Sequence, residues 1–487
     1  MTIAETYAAY VTELQYDDLP DEVVEHAKKL TLDAIGIALG AEHRAISSEA
    51  FIDGVDALAN GGDVTVFSSH RGLEPEYAAL LNGALVHSLD YDDTHRGASH
   101  HPGAAVIPAA IAAAEAADRA VNGEELLTAI VAGYEVDCRL GMAINPESHY
   151  SRGFHGTGTC GTFGATAAAG KIAGLDSEKL TNAFGLNGSQ ASGSMQFLSN
   201  GAWNKRAHPG LAAHAGILAV SFADAGFYGS SAPIEGEDGF LSGYSDDAKP
   251  ELAIRELDEA FELLQTGMKP YPCCRYMHPA LDALFSLLSE NPISSESVER
   301  VVVELPRAGV NIVGKPIERK QRPQSFVDAQ FSMPFGVALA ITEGDAGIDS
   351  FLEASETGHD EGFEKLMDVT AVESTDRVNE PYPEKWSAYV RLEAAGQQYE
   401  KHVEFAKGEP ENPMSWEEVT EKFEELTDHL SPETRGEALD SVQSLEHRTA
   451  GELTEPFVGL DQHSAVADDR RRGTTGTPTA GPFSDSS

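Results

Sequence analysis

Cysteine is scarce in this chain, at four in 487 residues. Cys138 and Cys160 stand far apart, Cys273 and Cys274 are adjacent, and no C-x-x-C occurs. Neither a zinc ribbon nor an iron–sulfur cluster is signalled, and the low thiol count fits a reducing compartment. Cations are scarce too: Lys and Arg total 34 against 79 Asp and Glu, a formal net charge of −45. Nucleic-acid binding through a broad basic face is excluded, because phosphate neutralisation needs clustered cations. Docking on anionic lipid is disfavoured for the same reason. Long apolar runs are also missing. The most apolar stretch, Ala104–Ala114, is too short to span a bilayer and is interrupted by Pro108. The opening MTIAETYAAYVTELQYDDLP has no basic segment followed by an apolar one. These absences lead to the expectation of a cytoplasmic protein with no nucleic-acid and no membrane partner.

Hydrophobic residues make up 41% and aromatics 8%, enough for a buried core and too much for a disordered chain. At about 150 residues per domain the length predicts two or three domains. The acid excess is spread along the whole chain, so the folded form repels itself unless salt screens it. Screening lengths fall to about 3 Å near 1 M salt, and a halophilic host is expected.

Residues 1–268 read as a helical domain. Val23, Ala27, Leu30, Ala34 and Ile37 follow a 4-3-4-3 spacing on one face. Ala104–Arg119, Glu124–Ala143, Thr162–Ala173 and Leu211–Gly226 read as Ala- and Gly-rich helices separated by glycine loops. From Lys269 the pattern changes. A helix around Leu281–Leu288 is followed by strand-like alternation at Val301, Val303 and Leu305. A hairpin then runs through Val390, Leu392 and Ala394, a turn near Gly396, and Tyr399 to Phe405. The expectation is an α+β domain over 269–406 with an antiparallel sheet. Over 407–459 helix returns to the first domain, with Ser415 and Glu418 as a capping box. The polar stretch 460–487, with Arg470, Arg471 and Arg472, reads as a disordered tail.

Four segments carry candidate chemistry. The first runs from His87 to Gly103 and includes Asp90, Asp92, Asp93, Thr94, His95, His100 and His101. It holds four of the 17 histidines. Imidazole beside carboxylate suits acid–base work, His with Asp suits a metal, and a polar capped loop needs neither. A D-D-x-x-D diphosphate box is excluded because its fifth position is Arg96. The second segment, His155-Gly156-Thr157-Gly158-Thr159-Cys160-Gly161, fits G-x-G-x-x-G but follows no strand, so a dinucleotide site is not expected. Glycines at a helix start still permit an anion close to the backbone, and Gly156 and Gly158 are candidates for that contact. The third segment holds Lys205, Arg206 and His208. The fourth holds Lys269, Cys273, Cys274, Arg275 and His278 at the predicted domain junction. Cations retained in so anionic a chain are candidates for local carboxylate binding.

Together these segments resemble the MmgE/PrpD family: H-S-x-D-Y-D-D-T with H-P-G-A-A-V-I-P, then G-F-H-x-T-G-T-x-G, K-R-x-H-P-G and K-P-Y-x-C-C-R-Y-x-H. The resemblance spans Thr2 to about Leu460. It implies a large helical domain, an inserted α+β lid, a homodimer, and a cleft that handles di- or tricarboxylates with no metal and no cofactor. It also implies Asp90, Thr94, His101 and His155 as catalytic residues, with His100 a rival to His101. Lys205 and Lys269 would bind substrate, helped by Arg275, His208 and His278. In decarboxylases of the family a His follows the matching lysine by five residues and a Tyr ends an S-F-Q-Y-like motif. Here those places hold Cys274 and Phe335. The expectation is therefore a hydro-lyase that dehydrates 2-methylcitrate, with decarboxylation, epimerisation and non-enzymatic carboxylate binding as alternatives. Asp90 would orient an imidazole or the leaving hydroxyl.

Overall fold

The computed structural model describes residues 1–68, 71–199, 201–356, 359–458 and 460. The predicted tail therefore lies outside the described residues, apart from Leu460. The fold is mainly helical with a smaller α+β part. Helix α1 (Ile3–Glu13) starts on a capping box in which the Thr2 hydroxyl accepts from Glu5 N and Glu5 accepts from Thr2 N. Helix α2 (Asp21–Arg44) buries the predicted stripe of Val23, Ala27, Leu30, Ala34 and Ile37. Against it pack α3 (Pro75–Val86), α4 (Gly103–Ala116) and α5 (Gly123–Ala143), and on these in turn α6 (Gly161–Ile172) and α7 (Asn204–Asp224). Small residues allow the close crossings. A Cβ added at Gly83 on α3 would lie 2.8 Å from Gly210 Cα on α7.

Helix α7 begins seven residues before the predicted start and contains Pro209. The missing proline N–H removes one bond, to the carbonyl four residues earlier, near the start of a 21-residue helix. As a result Lys205 and His208 sit one turn apart on the same helical face.

The chain leaves this helical core at Thr266–Lys269. There Thr266 and Gly267 pair antiparallel with His95 and Thr94. A separate apolar core follows, built by α8 (His278–Glu290), strand β1 (Val298–Glu304), α9 (Phe326–Gln330), α10 (Met333–Glu343), β2 (Thr370–Glu373) and the hairpin β3 (Ala388–Ala394)–β4 (Gln397–Val403). The sheet order is β2-β1-β3-β4. The sheet is mixed and not wholly antiparallel: β1 and β2 run parallel, Val301 opposite Thr370, because the long helical crossover between them reverses the chain. The hairpin turns through Ala395 and Gly396, both at positive φ, the geometry of a two-residue turn that matches strand twist. β3 alternates as predicted, with Ala388, Val390, Leu392 and Ala394 buried.

The chain returns past Gly408, where a Cβ would lie 1.9 Å from Met268 O. The outgoing and incoming segments thus touch backbone to backbone, and Gly408 takes a φ of +82°. Helix α11 (Trp416–Leu426) then starts on the Ser415–Glu418 capping box. It lays Val419, Phe423 and Leu426 on α2, where Cβ atoms at Gly36 and Gly40 would fall 2.8 Å from Phe423 Cδ2 and Leu426 Cδ2. Full burial of side chains of this size contributes roughly 1.5–3 kcal/mol each. Among the described residues no helix is long and apolar enough to cross a membrane.

Candidate active site

The cluster forms where the loop after α3 meets α7 and the first crossing. Asp90 has a φ of +54°, a left-handed conformation that Asp tolerates better than most residues. Its carboxylate bridges two ammonium groups: Oδ2 accepts from Lys205 Nζ at 2.8 Å and Oδ1 from Lys269 Nζ at 2.7 Å. Burial works to raise the Asp90 carboxyl, but Lys205 and Lys269, with His101 and His87, outweigh it and hold it well below the usual range. Both oxygens thus accept from lysines, where the expectation had Asp90 orient an imidazole or the leaving hydroxyl. Lys269 is 1% exposed and also donates to the Asp90 carbonyl at 2.7 Å. Burial lowers its affinity for a proton and the Asp90 and Asp92 carboxylates more than restore it, so it stays an ammonium. Lys205, 18% exposed and 5.3 Å from the Phe331 ring centroid, is the lysine an incoming carboxylate can reach.

Four imidazoles face this ion triad. His101 donates from Nδ1 to the Asp93 carbonyl at 2.6 Å, with Thr94 Oγ1 3.3 Å from the same nitrogen. A carbonyl only accepts, so Nδ1 carries the proton and Nε2 keeps its lone pair. Burial lowers His101 to about 3 despite the nearby Asp92, so the ring is neutral near pH 7. Its side chain is 13% exposed. His87 lies between His101 and His155, with ring centroids 5.0 and 5.8 Å away. Its Nδ1 donates to Asp92 at 2.6 Å, and Nε2 is buried with no hydrogen-bond partner among the described residues. His155 and His208 meet Nδ1 to Nδ1 at 3.0 Å, so one of them carries the shared proton. Burial lowers His208 to about 4 and His155 well below its ordinary value. Asp93 faces away from the cluster. It accepts from Tyr134 Oη at 2.7 Å and from Gly103 N at the start of α4, and burial beside Asp92 pushes its carboxyl well above the usual range.

The rival imidazole goes elsewhere. His100 is wholly buried, with Nδ1 on the Ala98 carbonyl and Nε2 2.9 Å from Asp137 Oδ1. Two donor groups could in principle hold a metal: His87, Asp92 and His101, and His100, Asp137 and Cys160. In the first, both Nδ1 atoms are spent as hydrogen-bond donors. In the second, His100 and Asp137 already pair with each other deep in the core.

Sequence comparison adds to this geometry. Residues 5–253 match the MmgE/PrpD N-terminal domain and residues 271–447 match the MmgE/PrpD C-terminal domain. The chain belongs to the MmgE/PrpD family. It is 27% identical over 465 residues to the cis-aconitate decarboxylase-like protein oryM of Aspergillus oryzae, covering 92% of this chain and 94% of that protein. It is 26% identical over 451 residues to a cis-aconitate decarboxylase of Aspergillus terreus, covering 89% and 91%. Against the human cis-aconitate decarboxylase it is 29% identical over 361 residues, covering 72% and 73%.

Not every expected residue of this MmgE/PrpD chain reaches the cluster. Arg275 donates from Nε to Glu409 at 2.8 Å, and its Nη1 lies 2.9 Å from His278 Nδ1. His278 Nε2 faces the Cys273 carbonyl at 3.2 Å. These two residues fasten the incoming crossing to the outgoing one, away from the Asp90 triad where they were expected to help bind substrate. Gly156 and Gly158 allow close packing: a Cβ at Gly158 would lie 2.5 Å from Ser192 O, and one at Gly156 3.2 Å from His100 Cβ. Lys269 is engaged by the Asp90 carboxylate and carbonyl and is 1% exposed. Cys274 stands beside the ion triad, its thiol pushed up to about 11 chiefly by burial. Phe335 packs edge-on or tilted against Phe351, His359 and Phe363 in the α+β core. Sequence reading assigned no role to His87 or Asp92, although both lie in the dense first segment. It passed over Gln330, Phe331 and Lys422, single residues with no motif around them.

Proposed function

We propose that this chain is a lyase acting on a tricarboxylate by proton transfer at carbon. One observation carries the reading: the neutral imidazoles of His101 and His155, with His87 between them, stand beside an ammonium–carboxylate–ammonium triad that is buried except at Lys205 and His101. Lys205 would take a substrate carboxylate, and the fixed charge of Lys269 would steady negative charge as it develops. His101 Nε2, its lone pair turned from Asp93 and Thr94, would accept or return the proton, and the His155–His208 pair would supply a proton to the far side. A bound tricarboxylate raises the proton affinity of nearby imidazoles, so substrate binding would load the acid.

Decarboxylation of a cis-aconitate-like substrate is the first reading, because the relatives above are named for it. The bond to one carboxylate breaks, carbon dioxide leaves, the electron pair passes onto the unsaturated carbon framework, and an imidazolium protonates carbon. Dehydration of a hydroxy-tricarboxylate such as 2-methylcitrate is the second. There an imidazole removes a proton from carbon, and hydroxide leaves with a proton from the opposite imidazole. It is favoured by Cys274 and Phe335, which place a thiol with a raised pKa and a core-bound ring at the positions of the decarboxylases' His and Tyr. Assays with cis-aconitate, citrate, 2-methylcitrate and iminodisuccinate, followed by carbon dioxide release and product analysis, separate the two. Carbon dioxide from cis-aconitate supports the first, an unsaturated tricarboxylate from 2-methylcitrate supports the second, and no turnover of any substrate removes the lyase reading.

A further inference from the structure

Three consecutive carbonyls at the centre of the site are each held by a side chain from a different part of the chain. Gln330 Nε2, at the end of α9 in the α+β domain, donates to Leu89 O at 2.5 Å. Lys269 Nζ, in the crossing, donates to Asp90 O at 2.7 Å. Lys422 Nζ, on the returning helix α11, donates to Tyr91 O at 2.9 Å. All three donors are buried. Lys422 is itself anchored by Asp33 at 2.6 Å and lies 3.7 Å from the Tyr91 ring centroid. Helical backbone would satisfy such carbonyls internally. Here Asp90 takes a left-handed φ and the local chain does not, so external donors fix a conformation that Asp adopts at some cost.

Gln330 differs from the other two because it comes from the separately cored α+β domain. Its amide also donates to Pro272 O at 2.8 Å, and its own carbonyl accepts from Cys274 N at 2.9 Å. The next residue, Phe331, packs against the Lys205 ammonium. Residues 330 and 331 therefore touch both flanks of Asp90: the backbone before it and the lysine that binds its Oδ2. We propose that Gln330 is a positioning residue that makes the geometry of Asp90, and through it of Lys205, conditional on the docked α+β domain. Without that docking, Leu89 O has no donor and Lys205 loses its aromatic wall.

The proposal uses the lyase reading only for its turnover readout, so a second, activity-independent readout accompanies it. Gln330→Met keeps length and apolar bulk while removing the donor. It is compared with Phe351→Leu, a truncation in the same domain core that leaves the three carbonyls untouched. Expected for Gln330→Met is a fall in kcat of about 100-fold, the scale of an ångström-level misplacement, with KM within about threefold and faster amide exchange over residues 89–92. Phe351→Leu is expected to keep wild-type exchange there and nearly wild-type kcat. Unchanged exchange at 89–92 in Gln330→Met, or the same changes in Phe351→Leu, would overturn the proposal. If wild type turns over none of the four carboxylates, the lyase reading falls and exchange alone decides. Should Gln330→Met fail to fold, Gln330→Glu, whose protonated carboxyl can serve only one of the two carbonyls, carries the same readouts at smaller amplitude.

Discussion

Two clusters in this molecule have nearly the same composition. Around Asp90, one carboxylate lies between Lys205 and Lys269 with His101, His87, His155 and His208 close by. Around Glu409, one carboxylate lies between Arg96 at 3.2 Å and Arg275 at 2.8 Å, with His278 alongside. The difference is in what is left over. At Glu409 both ring nitrogens of His278 are engaged, and Arg275 spreads its contacts over Glu409, Met268 O and Lys407 O, with only its buried Nη2 lacking a partner among the described residues. At Asp90 the Nε2 atoms of His101 and His87 have no hydrogen-bond partner among the described residues, and Lys205 is partly exposed. A cluster whose imidazole is engaged at both nitrogens is a fastener, whereas one with unspent imidazole nitrogens can do chemistry.

The strongest way to break this contrast is to remove one group from each cluster. His101→Ala should cut turnover by about 10²–10⁴-fold, the value of a positioned acid–base group, while the unfolding midpoint stays near wild type. Arg275→Ala should do the reverse. Breaking a buried ion pair costs about 3–5 kcal/mol, read in denaturant melts, while kcat per folded molecule stays within a few-fold of wild type. Equal loss of kcat in both variants would erase the distinction.

Acid sharpens the contrast at one residue. The folded His101 sits near 3, lowered by burial, whereas an unfolded histidine titrates near 6.5. Between these values the unfolded chain binds the extra proton, so the stability due to His101 is full above about pH 6.5 and drains away as pH falls toward 3. As pH falls through that window wild type should therefore lose stability relative to His101→Asn, compared with their difference at pH 7.5. A constant separation would contradict a buried, neutral His101. The smallest and least local effect is salt. With a net charge of −45, added sodium chloride should raise the unfolding midpoint by screening repulsion, and should do so equally in wild type and His101→Asn.

Sequence reading reached the helical domain because its periodic stripes are local, and the returning helix because the Ser415–Glu418 capping box is. It reached the Asp90 cluster because titratable residues crowd one segment. The parallel β1–β2 pair escaped it, since nothing within either strand reports a partner some 70 residues away (Val301 and Thr370). The start of α7 escaped because Pro209 mimics a boundary. Arg275 and His278 were drawn to the site by composition, which carries no record of Glu409 arriving from 134 residues downstream. Gln330 and Lys422 left no trace, because a single glutamine or lysine becomes a backbone donor only through tertiary approach.

The most direct test is a crystal structure with a bound, unreactive tricarboxylate. The account predicts one ligand carboxylate within hydrogen-bond distance of Lys205 Nζ and ligand carbon facing His101 Nε2, with Arg275 still on Glu409. A ligand seated on Arg275 and His278, leaving Lys205 and His101 untouched, would contradict it.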